Sequence, residues 1–166
     1  MSLRRLTPGD ASAWRDIRLE MLRSEPRAYG AQYETELALD EAHFAKRLGS
    51  VRVFGCFEGP AIVATAGWQA MPNPREAHRG SLSAVFSRPA YRGKGQMRRL
   101  LEAIFADATG RVIQLELRVA AEGTAARRLY ERSGFVVTGH LPRGLRDKGT
   151  YVDEVQMMRD LEGSPV

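Results

Sequence analysis

Cysteine is almost missing from this chain: Cys56 is the only one in 166 residues. No internal disulfide can form, and a reducing, cytoplasmic setting is the simplest reading. No run of about 18 apolar residues occurs, so no transmembrane helix and no membrane partner are expected. The opening MSLRRLTPGD lacks the apolar stretch of a secretory signal. Linkers, internal repeats and low-complexity segments are absent, and the length suits a single domain over residues 1–166. Lysine is scarce: among 25 basic residues only Lys46, Lys94 and Lys148 are lysine. The net charge of +5 favours anionic ligands, yet the arginines are scattered among acidic residues. No block of five or more like charges and no interleaved basic–aromatic patch exists, so no nucleic-acid partner is expected.

What is present is a change of period along the chain. Residues 2–6 read as a short strand. Trp14, Ile17, Met21 and Leu22 follow helical spacing behind Asp10, a candidate cap, and the helix stops before Pro26. Residues 27–39 are less regular. Asp40 opens a second helix carrying Phe44, Ala45 and Leu48, with Gly49 as its stop. Residues 51–58 and 61–71 read as a hairpin around Glu-Gly-Pro, and 80–87 as a third strand of this series. A helix ending at Gly110 places Met97, Leu100, Leu101, Ile104 and Phe105 on one face. Residues 112–119 form a strand, Thr124 caps a helix that ends at Gly134, and FVVTGHL and YVDEVQMMRDL are two final strands joined by the loop PRGLRDKGT. The order β-α-α-β-β-β-α-β-α-β-β predicts an α/β fold, a mixed sheet with helices on both faces.

Between the 80–87 strand and the next helix stands Arg92-Gly93-Lys94-Gly95. A helix N-terminus carries unpaired N–H groups and about half a positive charge. It binds anions when the backbone can come close. Gly93 and Gly95 remove the Cβ atoms in the way and permit positive φ. Arg92 and Lys94 add charge. The loop therefore reads as a phosphate or pyrophosphate site. The chain has no GxxxxGK[ST], and Arg98 stands where GxGxxG needs its third glycine, so neither the nucleoside-triphosphate nor the dinucleotide fingerprint is met.

AVFSRPAYRGKGQMRRLL resembles the acetyl-CoA motif of the GNAT (GCN5-related) N-acetyltransferase family, with Arg92 and Gly95 on the pattern [Q/R]xxGx[G/A]. LELRVAAEGTAARRLYERSGF is similar to that family's strand followed by A..LY...GF, with Ala126, Leu129, Tyr130, Gly134 and Phe135 in place. The final strand and the order of elements agree over nearly the whole chain. The resemblance implies a mostly antiparallel central sheet whose fourth and fifth strands splay to form an acyl-CoA cleft. It implies acetyl-CoA as co-substrate, no metal, and acetyl transfer to a primary amine of a small molecule or peptide by direct attack in a ternary complex. Backbone groups at Val85, Phe86 and Ser87 would meet the pantetheine arm, and N–H groups of Arg92, Gly93, Lys94, Gly95, Gln96 and Met97 the pyrophosphate. A backbone group near Val85 would polarise the thioester carbonyl, and Tyr130 would donate to the departing sulfur.

Two positions depart from the family pattern: Met97 stands where Gly or Ala is usual, and Gly123 where many members have Asn. The strand at 80–87 also carries serines rather than the carboxylate that serves some members as a base. These features favour an alternative, a catalytically silent acyl-CoA-binding module. Candidate bases elsewhere are Glu34, Glu116, Asp153 and Glu154; His43, His78 and His140 are weak ones. The acceptor segments would be residues 25–39 and 140–150, with Tyr29, Tyr33 and Glu34 as substrate contacts and Arg143 and Arg146 nearby. Many members dimerise, and the apolar MMRDL end allows a homodimer here.

Overall fold

In a computed structural model the described residues are 1–163; residues 164–166 of the expected domain lie outside them. The order is β1 (Ser2–Arg5), α1 (Ala11–Ser24), α2 (Tyr33–Leu37), α3 (Glu41–Ser50), β2 (Arg52–Glu58), β3 (Ala61–Ala70), β4 (Arg79–Ser87), α4 (Gln96–Ala108), β5 (Gln114–Ala120), α5 (Thr124–Arg132), β6 (Val136–Asp147) and β7 (Thr150–Asp160). One seven-stranded sheet runs β1-β2-β3-β4-β5-β7-β6. Every neighbouring pair is antiparallel except β4–β5, whose strands are joined through α4.

Strand alternation divides the apolar residues between two cores, one on each face of the sheet. Trp14, Ile17 and Leu22 of α1 and Phe44 and Leu48 of α3 pack on Val53, Ile62 and Phe86. Trp14 meets Phe44 edge-on with ring centroids 5.8 Å apart. On the other face Leu100, Leu101 and Ile104 of α4 and Tyr130 of α5 join Ala66, Trp68, Leu115, Leu117 and Met157. Each fully buried Leu or Ile of these stripes stabilises the fold by about 1.5–3 kcal/mol. Polar groups lock two of the helices down. Asp107 at the end of α4 accepts from Arg52 (2.5 and 2.6 Å) and from Trp68 Nε1 (2.9 Å), tying the helix to β2 and β3. Arg18 of α1 donates to both oxygens of Glu36 (2.5 and 2.7 Å), which also accepts from Arg47.

Four local features differ from the sequence reading. Asp10 does not cap α1 with its side chain; it accepts from Arg4 and from Thr7 N–H, and these bonds hold its carboxyl down to about 2. The irregular 27–39 stretch contains the five-residue α2. Gly123, not Thr124, is the cap residue of α5. The expected loop at 142–150 is mostly strand: β6 runs on to Asp147 past a register shift between Leu141 and Leu145, with Arg143 at φ +54°, and only Lys148-Gly149 turn back into β7. Pro142 and Gly144 read as turn residues because a bulge uses the same residue types.

Candidate active site

β4 and β5 pair over only three positions, Arg79–Gln114, Gly80–Leu115 and Ser81–Glu116. Beyond Ser81 the strands part. The cause lies in β4: between the pairs Ser83–Gly67 and Phe86–Thr65 it holds two residues, Ala84 and Val85, against the single Ala66 of β3. Ala84 sits at φ +54°, a left-handed conformation that costs a non-glycine residue roughly 1–2 kcal/mol. This bulge is held from both sides. Thr65 Oγ1 donates to the Ala84 carbonyl (2.7 Å) and the Tyr29 hydroxyl donates to the Val85 carbonyl (3.0 Å).

The gap is a cleft of about 660 Å³. Val85 and Ser87 of β4, Val119 of β5 and Tyr130 of α5 line it, and the loop Arg92–Gly95 closes one end. The Ser87 Oγ is buried and has no hydrogen-bond partner among the described residues. Phe86 turns its ring into the α1–α3 core, so its backbone is what reaches the cleft. Gly93 (φ +73°) and Gly95 (φ +82°) both occupy the left-handed region, and a Cβ on either would meet nothing within 4 Å. Their requirement is conformational. Gly95 turns the chain into α4, whose first residues aim their N–H groups at the cleft end. Gln96 has a part that sequence reasoning missed: it is buried, and its amide, oriented so that both bonds form, donates to the carbonyls of Tyr91 (2.9 Å) and Lys94 (3.2 Å), bracing the loop from inside.

The cations of the loop are not free. Arg92 donates to the Ser87 carbonyl (3.0 Å) and pairs with Glu25 (2.5 Å) across the cleft mouth. The Lys94 ammonium lies 5.4 Å from the Tyr91 ring centroid. Met97 packs against the core from the start of α4 and also forms part of the cleft wall. At Gly123 an added Cβ would lie 3.1 Å from the Ala120 carbonyl, so this turn is built for glycine.

Tyr130 is buried against Phe135, with ring centroids 5.7 Å apart. Burial alone pushes its phenol far above the ordinary value; no charge and no hydrogen bond contributes. Tyr29 is raised further still, by burial first and then by the nearby Glu25 carboxylate. Both hydroxyls therefore stay neutral donors at neutral pH.

A second cavity of about 530 Å³ lies against the same gap. Tyr29, Leu82, Ser83, Ala84, Leu117 and Arg118 line both spaces. Glu116, Gln156 and Glu154 also line it. Of the substrate contacts expected from the sequence, only Tyr29 is brought here. Tyr33 packs on the α1–α3 core, Glu34 is exposed, and neither lines a cavity. The α2 carboxylate turned inward is Glu36. Arg143, Arg146, His43, His78, His140 and Asp153 are all exposed, and Asp153 accepts from the Arg143 N–H (2.7 Å). Among the described residues no cluster of metal-ligating side chains occurs, and no helix is long and apolar enough to cross a membrane.

Residues 14–135 match the sequence profile of the Acetyltransferase (GNAT) family, and the chain belongs to that family. Solved structures agree in fold. An acetyltransferase of the GNAT family from Streptococcus pneumoniae is 23% identical, with a TM-score of 0.84 over 96% of this chain and 98% of its own. The yncA protein of Salmonella typhimurium, solved with its cofactor acetyl-CoA, is 21% identical, with a TM-score of 0.82 over 100% and 96%. The ribosomal-protein-alanine N-acetyltransferase of Brucella melitensis is 21% identical, with a TM-score of 0.78 over 96% and 99%. A search of curated protein sequences finds no match. Family membership supports acetyl transfer in general.

Proposed function

We propose that the protein is an acetyl-CoA-dependent N-acetyltransferase that acetylates a primary amine of a small molecule or peptide by direct attack in a ternary complex. One observation carries this reading: the long cleft and the second cavity meet at the gap between β4 and β5, beside the Ala84–Val85 bulge. A donor in the first space and an amine in the second would face each other there, the arrangement that direct attack needs.

The residues of the cleft fit acyl-CoA. The Gly93–Gly95 turn and the first N–H groups of α4 suit a pyrophosphate. The unpartnered Ser87 Oγ and the unpaired stretch of β4 suit the amides of a pantetheine arm. Acetyl-CoA supplies an acyl carbon activated by a thiolate leaving group. In the transfer a C–N bond forms, the C–S bond breaks, and the proton lost by the amine is matched by one gained at sulfur. A backbone N–H at the bulge polarises the thioester carbonyl in this reading, at a position that Thr65 and Tyr29 hold rigid. Tyr130 donates to the sulfur. Its phenol is raised by burial, so outright proton loss to a thiolate whose thiol has an ordinary pKa of about 8.5 is uphill. Its contribution is a hydrogen bond that strengthens as charge develops.

The test is thermal unfolding with acetyl-CoA, ATP or NAD. Ligand at about 100 times its Kd adds roughly 2.7 kcal/mol, and each kcal/mol moves the midpoint of a chain this size about 2–4 °C. A rise of about 5 °C or more with acetyl-CoA alone, followed by CoA release on an amine panel, is the expected result. No rise at millimolar acetyl-CoA overturns the proposal.

A further inference from the structure

The second cavity holds two carboxylates whose needs the protein leaves unmet. Glu116 of β5 and Glu154 of β7 are 6% and 7% exposed. The strand register places them on one face: Glu116 lies opposite Met158, Arg118 opposite Gln156, and Ala120 opposite Glu154. Gln156 stands between them and donates to Glu116 Oε1 (3.2 Å).

Their partners are unequal. Glu116 Oε1 also accepts from Arg79 (2.9 Å), but Glu116 Oε2 has no hydrogen bond. Glu154 is poorer. Its Oε1 is buried without a hydrogen bond, and the nearest cation, Arg118 Nη1, lies 4.0 Å away on a side chain 61% exposed. The other arginine of the cavity, Arg18, directs its Nε and Nη2 to Glu36. A buried carboxylate oxygen without a donor loses its hydration with nothing in return, and native chains rarely keep one without a use. Here two such oxygens share a single cavity. Met21, Met71, Leu82 and Leu145 add apolar surface to its wall, beside the hydroxyl-bearing Ser81, Ser83 and Tyr29.

The backbone also holds Glu154 in place. A Cβ built on Gly144, in the β6 bulge, would fall 2.5 Å from Glu154 Oε1. The bulge thus lies against the carboxylate, and any side chain at this position would displace it.

We propose that the acceptor is a cationic amine with an apolar body and no carboxylate of its own, received as its ammonium form by Glu154, with Glu116 Oε2 as the second acceptor; one ammonium proton passes to the Glu154 carboxylate, and the neutral amine then attacks, losing its next proton as one is gained at sulfur. This rests on the N-acetyltransferase reading and narrows it. An α-amino acid of the same side chain brings a carboxylate into a space with two unsatisfied carboxylate oxygens and loses by repulsion. The cavity volume suits a small molecule.

The experiment compares matched pairs that differ only by the carboxylate: tyramine against tyrosine, histamine against histidine, cadaverine against lysine. With saturating acetyl-CoA, kcat/KM for the amine should exceed that for the amino acid at least tenfold in every pair transferred. Glu154→Gln should erase most of that preference and raise KM for the amine at least tenfold, with the thermal rise given by acetyl-CoA unchanged. Gly144→Ala, which displaces the carboxylate without removing its charge, should move the ratio the same way. Equal or reversed preference, with Arg118 taking the amino-acid carboxylate, overturns the proposal while leaving acetyl transfer intact. Calorimetric binding of tyramine to the CoA-bound protein separates the two readings. Binding that Glu154→Gln abolishes, without any acetylation, keeps the cation site and removes the transferase. Absence of both binding and transfer for all three amines overturns the cation site.

Discussion

The two spaces that meet beside the β4 bulge are built by opposite rules. The cleft, the cofactor side in the proposed reading, is local in its loop, its glycines, its bulge and the start of α4, which fall within residues 82–97. Backbone groups would do the recognising there, so side-chain identity would matter mainly where φ is positive or a loop must be braced. The second cavity, the acceptor side in that reading, draws its side chains from α1, the 28–31 segment, β4, β5, β6 and β7. Charge would do the recognising there, and each charge depends on partners far away in sequence. A continuous site advertises itself by spacing; an assembled one appears only when strand register is known.

The comparison breaks most visibly at Glu36. Its carboxylate balances Arg18 and Arg47, so Glu36→Ala leaves two cations together in a buried setting. The expected loss is about 3–5 kcal/mol, read by urea unfolding, and it falls on the acceptor-side helices. Glu36 is held low by its arginines against burial. Its stabilising contribution is therefore present above the ordinary Glu value of about 4.3 and lost as pH falls through its lower folded value.

The cofactor side should fail through backbone alone. Gly95→Val forces a β-branched residue to φ +82°, and the acetyl-CoA affinity should drop at least tenfold by calorimetry. Gly95 lines only the cleft, so the acceptor-side ion pairs should remain as they are. Unchanged affinity would mean that the loop does not hold the pyrophosphate.

Tyr130→Phe sharpens the contrast by touching chemistry and not binding. Turnover should fall at least tenfold, about 1.4 kcal/mol in barrier, with acetyl-CoA binding little altered. The same substitution should flatten part of the alkaline stability loss. The phenol is raised in the folded state, so its contribution is complete below the ordinary value of about 10 and is lost as pH climbs towards the folded one. Turnover equal to wild type removes Tyr130 from the mechanism.

The smallest effect belongs to Glu25→Gln. The Glu25–Arg92 pair is partly exposed, 35% and 49%, and is worth at most about 1 kcal/mol. Stability should hardly move, whereas acetyl-CoA affinity should rise a few-fold because Arg92 is released to face the phosphates. A fall in affinity would show that the pair pre-shapes the cleft mouth.

The order of elements and the apolar stripes were legible because a period of two or of 3.6 survives in the letters. The RGKG turn was legible from its paired glycines at the mouth of a helix, and both stand at positive φ. Tyr130 and Tyr29 could be singled out, the first through a family motif. The structure puts both at the gap between β4 and β5, one on each side. Tyr33 and Glu34 were beyond reach because α2 is five residues long and its inward face depends on the Arg18–Glu36 contact rather than on a periodic pattern. Glu116 and Glu154 could be named as candidate bases, but nothing in the 37 intervening residues says that β7 slots between β5 and β6 and brings both to one wall. The β6 bulge was hidden because Pro-Arg-Gly reads as a turn, and only its pairing with β7 shows the strand continuing.

Three rungs join β1–β4 to β5–β7. The sheet is in effect two sheets with a short seam, bridged on one face by α4. Amide exchange should report this as two blocks with separate protection, β1 to β4 in one and β5 to β7 in the other. A ligand lying along the open part of the seam supplies the missing rungs. It would act as a removable eighth strand, and its departure after each turnover would return the protein to its two-block form.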